Sequence, residues 1–86
     1  MKTETKFVVL EYLNEDLQDY ILYDSAAYAY EETEDYLAPM VKALEGENIK
    51  FTLNKKMQPN GDFLISVRTE QGTYEFEGIT HTNIIH

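Results

Sequence analysis

From residue 49 to residue 77 the side chains alternate with a period of two, and this constrains the fold more than any other feature. Ile49, Phe51 and Leu53 alternate with Lys50, Thr52 and Asn54. Phe63, Ile65 and Val67 alternate with Leu64, Ser66 and Arg68, and Tyr74 and Phe76 with Thr73, Glu75 and Glu77. Alternation of this kind is the pattern of half-buried strands, because successive side chains on a strand point to opposite faces. Between the runs lie Gln58-Pro59-Asn60-Gly61-Asp62 and Gln71-Gly72, both turn chemistry. Residues 48–78 are therefore expected to form an antiparallel three-strand meander. Residues 79–86 either continue as a further strand or fray.

The first half adds two strands and a helix. Lys6–Leu13 is apolar on both of its alternating faces, as a central strand is: Phe7, Val9 and Leu13 point one way, and Val8, Leu10 and Tyr12 the other. Asn14-Glu15-Asp16 is a turn. The run Asp19–Asp24 is aromatic and aliphatic, and reads as the second arm of a hairpin. The competing reading is a short helix capped by Asn14, with Leu17, Tyr20 and Ile21 on one face. From Ser25 to Glu45 the period becomes helical. Ala26, Tyr30, Thr33, Leu37, Met40, Val41 and Leu44 form one stripe, Ser25 is placed to cap the start, and Gly46 is expected to end the helix at C′. Pro39 interrupts this segment, so the helix either kinks there or a second helix starts near residues 33–35. Among strands, one helical segment gives an α+β class with order β-β-α-β-β-β, in a single domain of 86 residues.

Composition enters through the charge. The chain has 16 acidic and 7 basic residues, a net of −9. The excess is local: residues 11–47 hold eleven acids and one base, Lys42, whereas residues 48–86 hold four of each. Six of the seven tyrosines (12, 20, 23, 28, 30 and 36) fall in that same acidic stretch. Direct binding to DNA, RNA or an anionic membrane is excluded as an expectation, since each requires clustered Lys and Arg. No apolar run approaches the roughly 18 residues of a membrane span, and the opening residues do not read as a signal peptide. There is no cysteine for disulfides, thiol chemistry or metal ligation. A cytoplasmic protein is expected, folded rather than disordered: Leu, Ile, Val and Phe make up 22 of 86 residues, above the level of about 20% that marks disordered chains.

The residues offer little for catalysis. The four glycines fit turns or strand ends rather than a phosphate-binding loop. His81 and His86 fall in the last six residues, a poor place to hold a base in register, and their odd spacing on a strand puts them on opposite faces. Asp62 and its neighbours lack the ligand pattern of a calcium loop. Glu31 and Asp35 share a helix face but have no room beside them for a sugar cleft. No enzyme, cofactor or resident metal is expected.

What remains is the acidic, tyrosine-rich stretch. Glu31 with Glu34 or Asp35, and Glu32 with Asp35, are like charges at i, i+3 and i, i+4, each unfavourable by a few tenths of a kcal/mol. Helix stability alone would interleave lysines. If a helix started at Thr33, Glu34 and Asp35 would instead gain from its N-terminal dipole. The expected function is a non-enzymatic inhibitor that binds a basic nucleic-acid-binding protein, with Glu15, Asp16, Asp19, Asp24, Tyr28, Glu31, Glu32, Glu34, Asp35 and Tyr36 at the contact. This resembles in style the acidic nucleic-acid mimics with which phages and mobile elements block restriction or RNA-guided nucleases. The alternative is a small assembly module, a homodimer or adaptor using a meander edge or the Ile84-Ile85 segment.

Overall fold

The computed structural model describes the backbone of residues 2–85 and the side chains of residues 6–80. The elements follow in the order β1 (Lys2–Leu13), β2 (Asp16–Tyr23), α1 (Ala26–Gly46), β3 (Phe51–Met57), β4 (Phe63–Thr69) and β5 (Gly72–Ile85). The five strands form one antiparallel sheet with order β2-β1-β5-β4-β3. This is the expected α+β arrangement, and the stretch after Asn14 is a strand, not a short helix.

The β1–β2 connection is a two-residue turn with Asn14 at φ 51° and Glu15 at φ 73°. Positive φ at both central residues matches the right-handed twist of the flanking strands. Residues 79–85 do not fray: they continue β5 and pair with β1, from Val8 opposite Ile79 to Lys2 opposite Ile85. The meander's β5 side is therefore occupied by β1, and the sheet's free edges are β2 and β3. Residues 2–6 pair with β5 alone, since the pairing of β1 with β2 begins at Phe7. This two-stranded ribbon contributes to the elongated 53 × 23 × 20 Å shape. His86 and the side chain of His81 lie outside the described residues, as do the side chains of Ile84 and Ile85.

The core lies between α1 and one face of the sheet. It is built from Phe7 and Val9 of β1, Phe63, Ile65 and Val67 of β4, Phe76 of β5, and Ala29 and Leu37 of α1. Burying each large apolar side chain contributes about 1.5–3 kcal/mol. Phe63 stacks on Phe7 with ring centroids 5.7 Å apart and receives the edge of Tyr30 at 5.2 Å. Room for the Phe63 ring comes from Gly78, its cross-strand partner, where a Cβ would collide with it. Thr33 is buried within this layer, and its hydroxyl donates to the Ala29 carbonyl at 2.8 Å.

Ser25 caps α1 as expected, its Oγ accepting the Tyr28 amide at 3.2 Å. The other end departs from expectation. Gly46 is still helical and Glu47 is the cap residue; the left-handed position falls on Asn48, at φ 56°. The Ile49 amide donates to Leu44 O at 2.9 Å and the Asn48 amide to Glu45 O at 3.2 Å. These are the 6→1 and 5→2 bonds of a Schellman ending, in which asparagine can stand for glycine. Ile49 is thereby drawn into the cap, and β3 starts two residues later.

The helix runs without a break through Pro39, and no second helix starts near Thr33. Pro39 is exposed, so the Asp35 carbonyl left without an amide donor faces solvent, where water can satisfy it. Glu34 and Asp35 consequently sit mid-helix and gain nothing from the N-terminal dipole; the first turn contains no acid and the last turn no base.

Candidate functional site

At 100° per residue, α1 presents two flanks on either side of its buried stripe. Tyr28, Glu32 and Tyr36 follow one another at i, i+4 on the flank that faces β2. Glu34 lies on the opposite flank, facing β3. Glu31 and Asp35 are exposed near the crest between them.

The β2-side groove has a volume of ≈ 190 Å³. Val9, Ile21 and Phe76 supply apolar walls, and Glu11, Asp19 and Glu32 bring carboxylates from three different elements. Glu11 and Asp19 are direct cross-strand partners, an arrangement of like charges that weakens a sheet. Among the described residues neither they nor Glu32 form an ion pair. Tyr36 lines the groove and sets its ring edge against Phe76 at 5.8 Å. Tyr23 also lines it, and packs edge-on against Tyr28 at 5.6 Å.

Glu32 acts on two of these phenols, Tyr28 and Tyr23. A hydrogen bond to its carboxylate, reinforced by its charge, raises the Tyr28 hydroxyl above the ordinary tyrosine range. Tyr23 is raised chiefly by burial, with Glu32 adding to it. Both phenols therefore remain neutral donors beside the carboxylates at physiological pH.

The β3-side groove has a different balance. Glu34 and Glu45 line it together with Lys42 and Lys55. Lys55 Nζ donates to Glu34 Oε2 at 2.7 Å, and this bond raises the Lys55 pKa. Glu34 is thus a tie between the helix and β3, removed from the β2-side acids. Asp24 is exposed but bonded to Lys6 at 2.7 Å, which holds its carboxyl below the usual range. Glu15 and Asp16 are exposed at the β1–β2 turn, and neither lines the groove.

Of the ten residues expected from the sequence, the structure gathers Asp19, Glu32 and Tyr36 in one groove, with Tyr28 beside it and Glu31 and Asp35 above. Glu34 and Asp24 are spent on lysines. Glu11 and Tyr23 belong to the groove and were not among the ten. Glu11 was within reach of strand parity: the alternation that turns Phe7 and Val9 toward the helix turns residue 11 the same way. Among the described residues no group of three or more His, Asp or Glu is arranged to hold a metal ion, and no helix is long and apolar enough to cross a membrane. No protein-family model matches the chain, and neither a curated protein nor a solved structure is significantly similar to it.

Proposed function

We propose that this protein is a non-catalytic inhibitor whose acidic helix side occupies the basic nucleic-acid-binding surface of a partner protein. The observation that carries the reading is the convergence of Glu11, Asp19 and Glu32 around one apolar groove, with none of the three in an ion pair among the described residues. Selection for folding alone disfavours such an arrangement, since cross-strand and mid-helix like charges both weaken the fold. A cationic partner reverses the sign of each of these terms. Glu31 and Asp35 extend the negative field along the helix crest, and exposed Tyr28 and Tyr36 add the rigid aromatic contacts that anchor protein interfaces. Lysine and arginine side chains fit such a groove, with their alkyl stems on Val9, Ile21 and Phe76 and their charged ends at the carboxylates.

The test starts with capture from cell lysate at low and high salt, followed by a competition assay. A captured nucleic-acid-binding protein should lose its DNA or RNA when this protein is added, with affinity falling steeply as salt rises. Reversing Asp19, Glu31, Glu32 and Asp35 to lysine should weaken inhibition on the order of 100-fold or more while circular dichroism stays unchanged. Equal inhibition by the reversed variant would refute the reading.

A further inference from the structure

Among the described residues, α1 covers one face of the sheet and no element covers the other. Cross-strand partners share a face, so the register identifies what lies there. Leu22 is opposite Val8, which is opposite Ile79; Tyr20 is opposite Leu10, Leu10 opposite Glu77, and Glu77 opposite Leu64. Eight apolar side chains (Val8, Leu10, Tyr12, Leu17, Tyr20, Leu22, Leu64 and Ile79) thus lie on the open side, spread over β2, β1, β5 and β4. Tyr20 is 61% exposed and Leu22 53%; Leu10, Leu64 and Ile79 are half-buried, and Val8 is buried by its neighbours on the sheet. An antiparallel sheet with one solvated face ordinarily turns polar residues to that side, and a contiguous exposed apolar patch marks an interaction surface.

Charge on this face decides what can cover it. Around the patch the register places Lys6 of β1, Glu75 and Glu77 of β5, Arg68 of β4 and Lys56 of β3, three bases and two acids, with Asp24 bonded to Lys6. The acidic excess lies elsewhere, on α1 and along the groove between α1 and β2. A face of mixed sign with an apolar centre suits pairing with itself, because a two-fold axis can set the acids of one copy against the bases of the other. We propose that two copies of this chain pack back to back through their open sheet faces, as a sandwich with the helices outermost.

The dimensions permit it. Five strands about 4.8 Å apart, and roughly six residues at about 3.3 Å each, give a face on the order of 500 Å² per copy. The pair then buries about 1,000 Å², at the threshold of a specific interface. Sheets pack about 10 Å apart and helices a similar distance from their sheets. The two acidic helices therefore end about 30 Å apart, several Debye lengths at physiological salt. The dimer leaves both acidic grooves free, so it neither requires nor prevents binding of a basic partner.

Sedimentation equilibrium over a concentration series tests this. The expected result is a reversible dimer whose affinity changes little with salt, because the apolar centre carries the contact and the acidic helices lie several Debye lengths apart. Ile21 and Leu22 provide the internal control: they are neighbours, 52% and 53% exposed, on opposite faces. Leu22→Lys should weaken the dimer at least tenfold, whereas Ile21→Lys should leave it unchanged. Leu64→Lys, on the open face but three strands away from the β2 edge, should weaken it as Leu22→Lys does, with both variants retaining native circular dichroism. The proposal is overturned by a monomer at every concentration, by equal loss in Ile21→Lys and Leu22→Lys, or by an undisturbed dimer in Leu64→Lys, which would point to pairing through the β2 edge.

Discussion

Asn14 and Thr73 are bonded to each other twice. The Asn14 amide donates to the Thr73 carbonyl at 2.8 Å, and the Thr73 amide donates to Asn14 Oδ1 at 2.9 Å. The residues are 59 apart in sequence, and the pair ties the β1–β2 turn to the start of β5. It also closes the β1–β5 ladder at its Leu13–Tyr74 end. One asparagine thus takes a left-handed backbone conformation and accepts a long-range hydrogen bond.

These two roles separate by substitution. Asn14→Gly keeps the backbone freedom but loses the acceptor, and should destabilise by about 0.5–1.5 kcal/mol. Asn14→Ala loses both and should destabilise by about 1.5–3 kcal/mol. Urea unfolding midpoints measure the difference, and equal losses would mean that only one role matters.

Gly78 should resist any side chain. A methyl group there would meet Phe63 Cζ at 2.6 Å, and Phe63 is held between Phe7 and Tyr30. Gly78→Ala forces the ring out of its place and should destabilise by about 1–3 kcal/mol. Near-ultraviolet circular dichroism, which reports aromatic packing, should change along with the unfolding midpoint.

Gly46 and Asn48, both at the C-terminal end of α1, make opposite predictions. With Gly46 inside the helix and open space where its Cβ would stand, Gly46→Ala should stabilise by about 0.5–1 kcal/mol. Asn48→Ala, at φ 56°, should destabilise by about 1 kcal/mol. If Gly46 were the C′ residue, its alanine variant would instead lower the thermal midpoint.

The phenols by the groove should separate in a pH titration of Glu32→Gln. Tyr28 is raised first by its hydrogen bond to Glu32, so its titration should move down toward the ordinary tyrosine value near 10. Tyr23 is raised first by burial and should keep most of its shift. In the native protein, raised phenol pKa values mean that the associated stability is complete below about pH 10 and is lost as pH rises through the folded-state values. NMR titration of the tyrosine rings reads both residues separately.

Periodicity and end chemistry made most of the architecture legible. The meander, the strand preceding Asn14, the Ser25 cap and the sheet-facing stripe of α1 all rest on local properties: alternation, helical spacing and a hydroxyl before an apolar run. The stripe as read missed Ala29, which is fully buried, and of its members only Thr33 and Leu37 are buried. Gly46 misled because the residue most permissive of a left-handed backbone stood two positions before the one that adopts it. The bonds from Asn48 and Ile49 decide the ending, and only folded geometry displays those. The length of β5 was equally hidden, because residues 79–85 are held straight by pairing with the first residues of the chain.

The sequence alone determined that this is an α+β domain whose charge is concentrated in residues 11–47. Only the tertiary structure decided which of those charges act together. Sheet order and helix orientation divert Glu34 to Lys55 and Asp24 to Lys6, and bring Glu11, which lies on a different element, to face Asp19 and Glu32. Folding also set apolar residues of four strands side by side on the uncovered face. Charge and hydrophobicity are properties of residues and can be counted along a chain. Whether they form a surface depends on distances across strands, and those are set by register and packing.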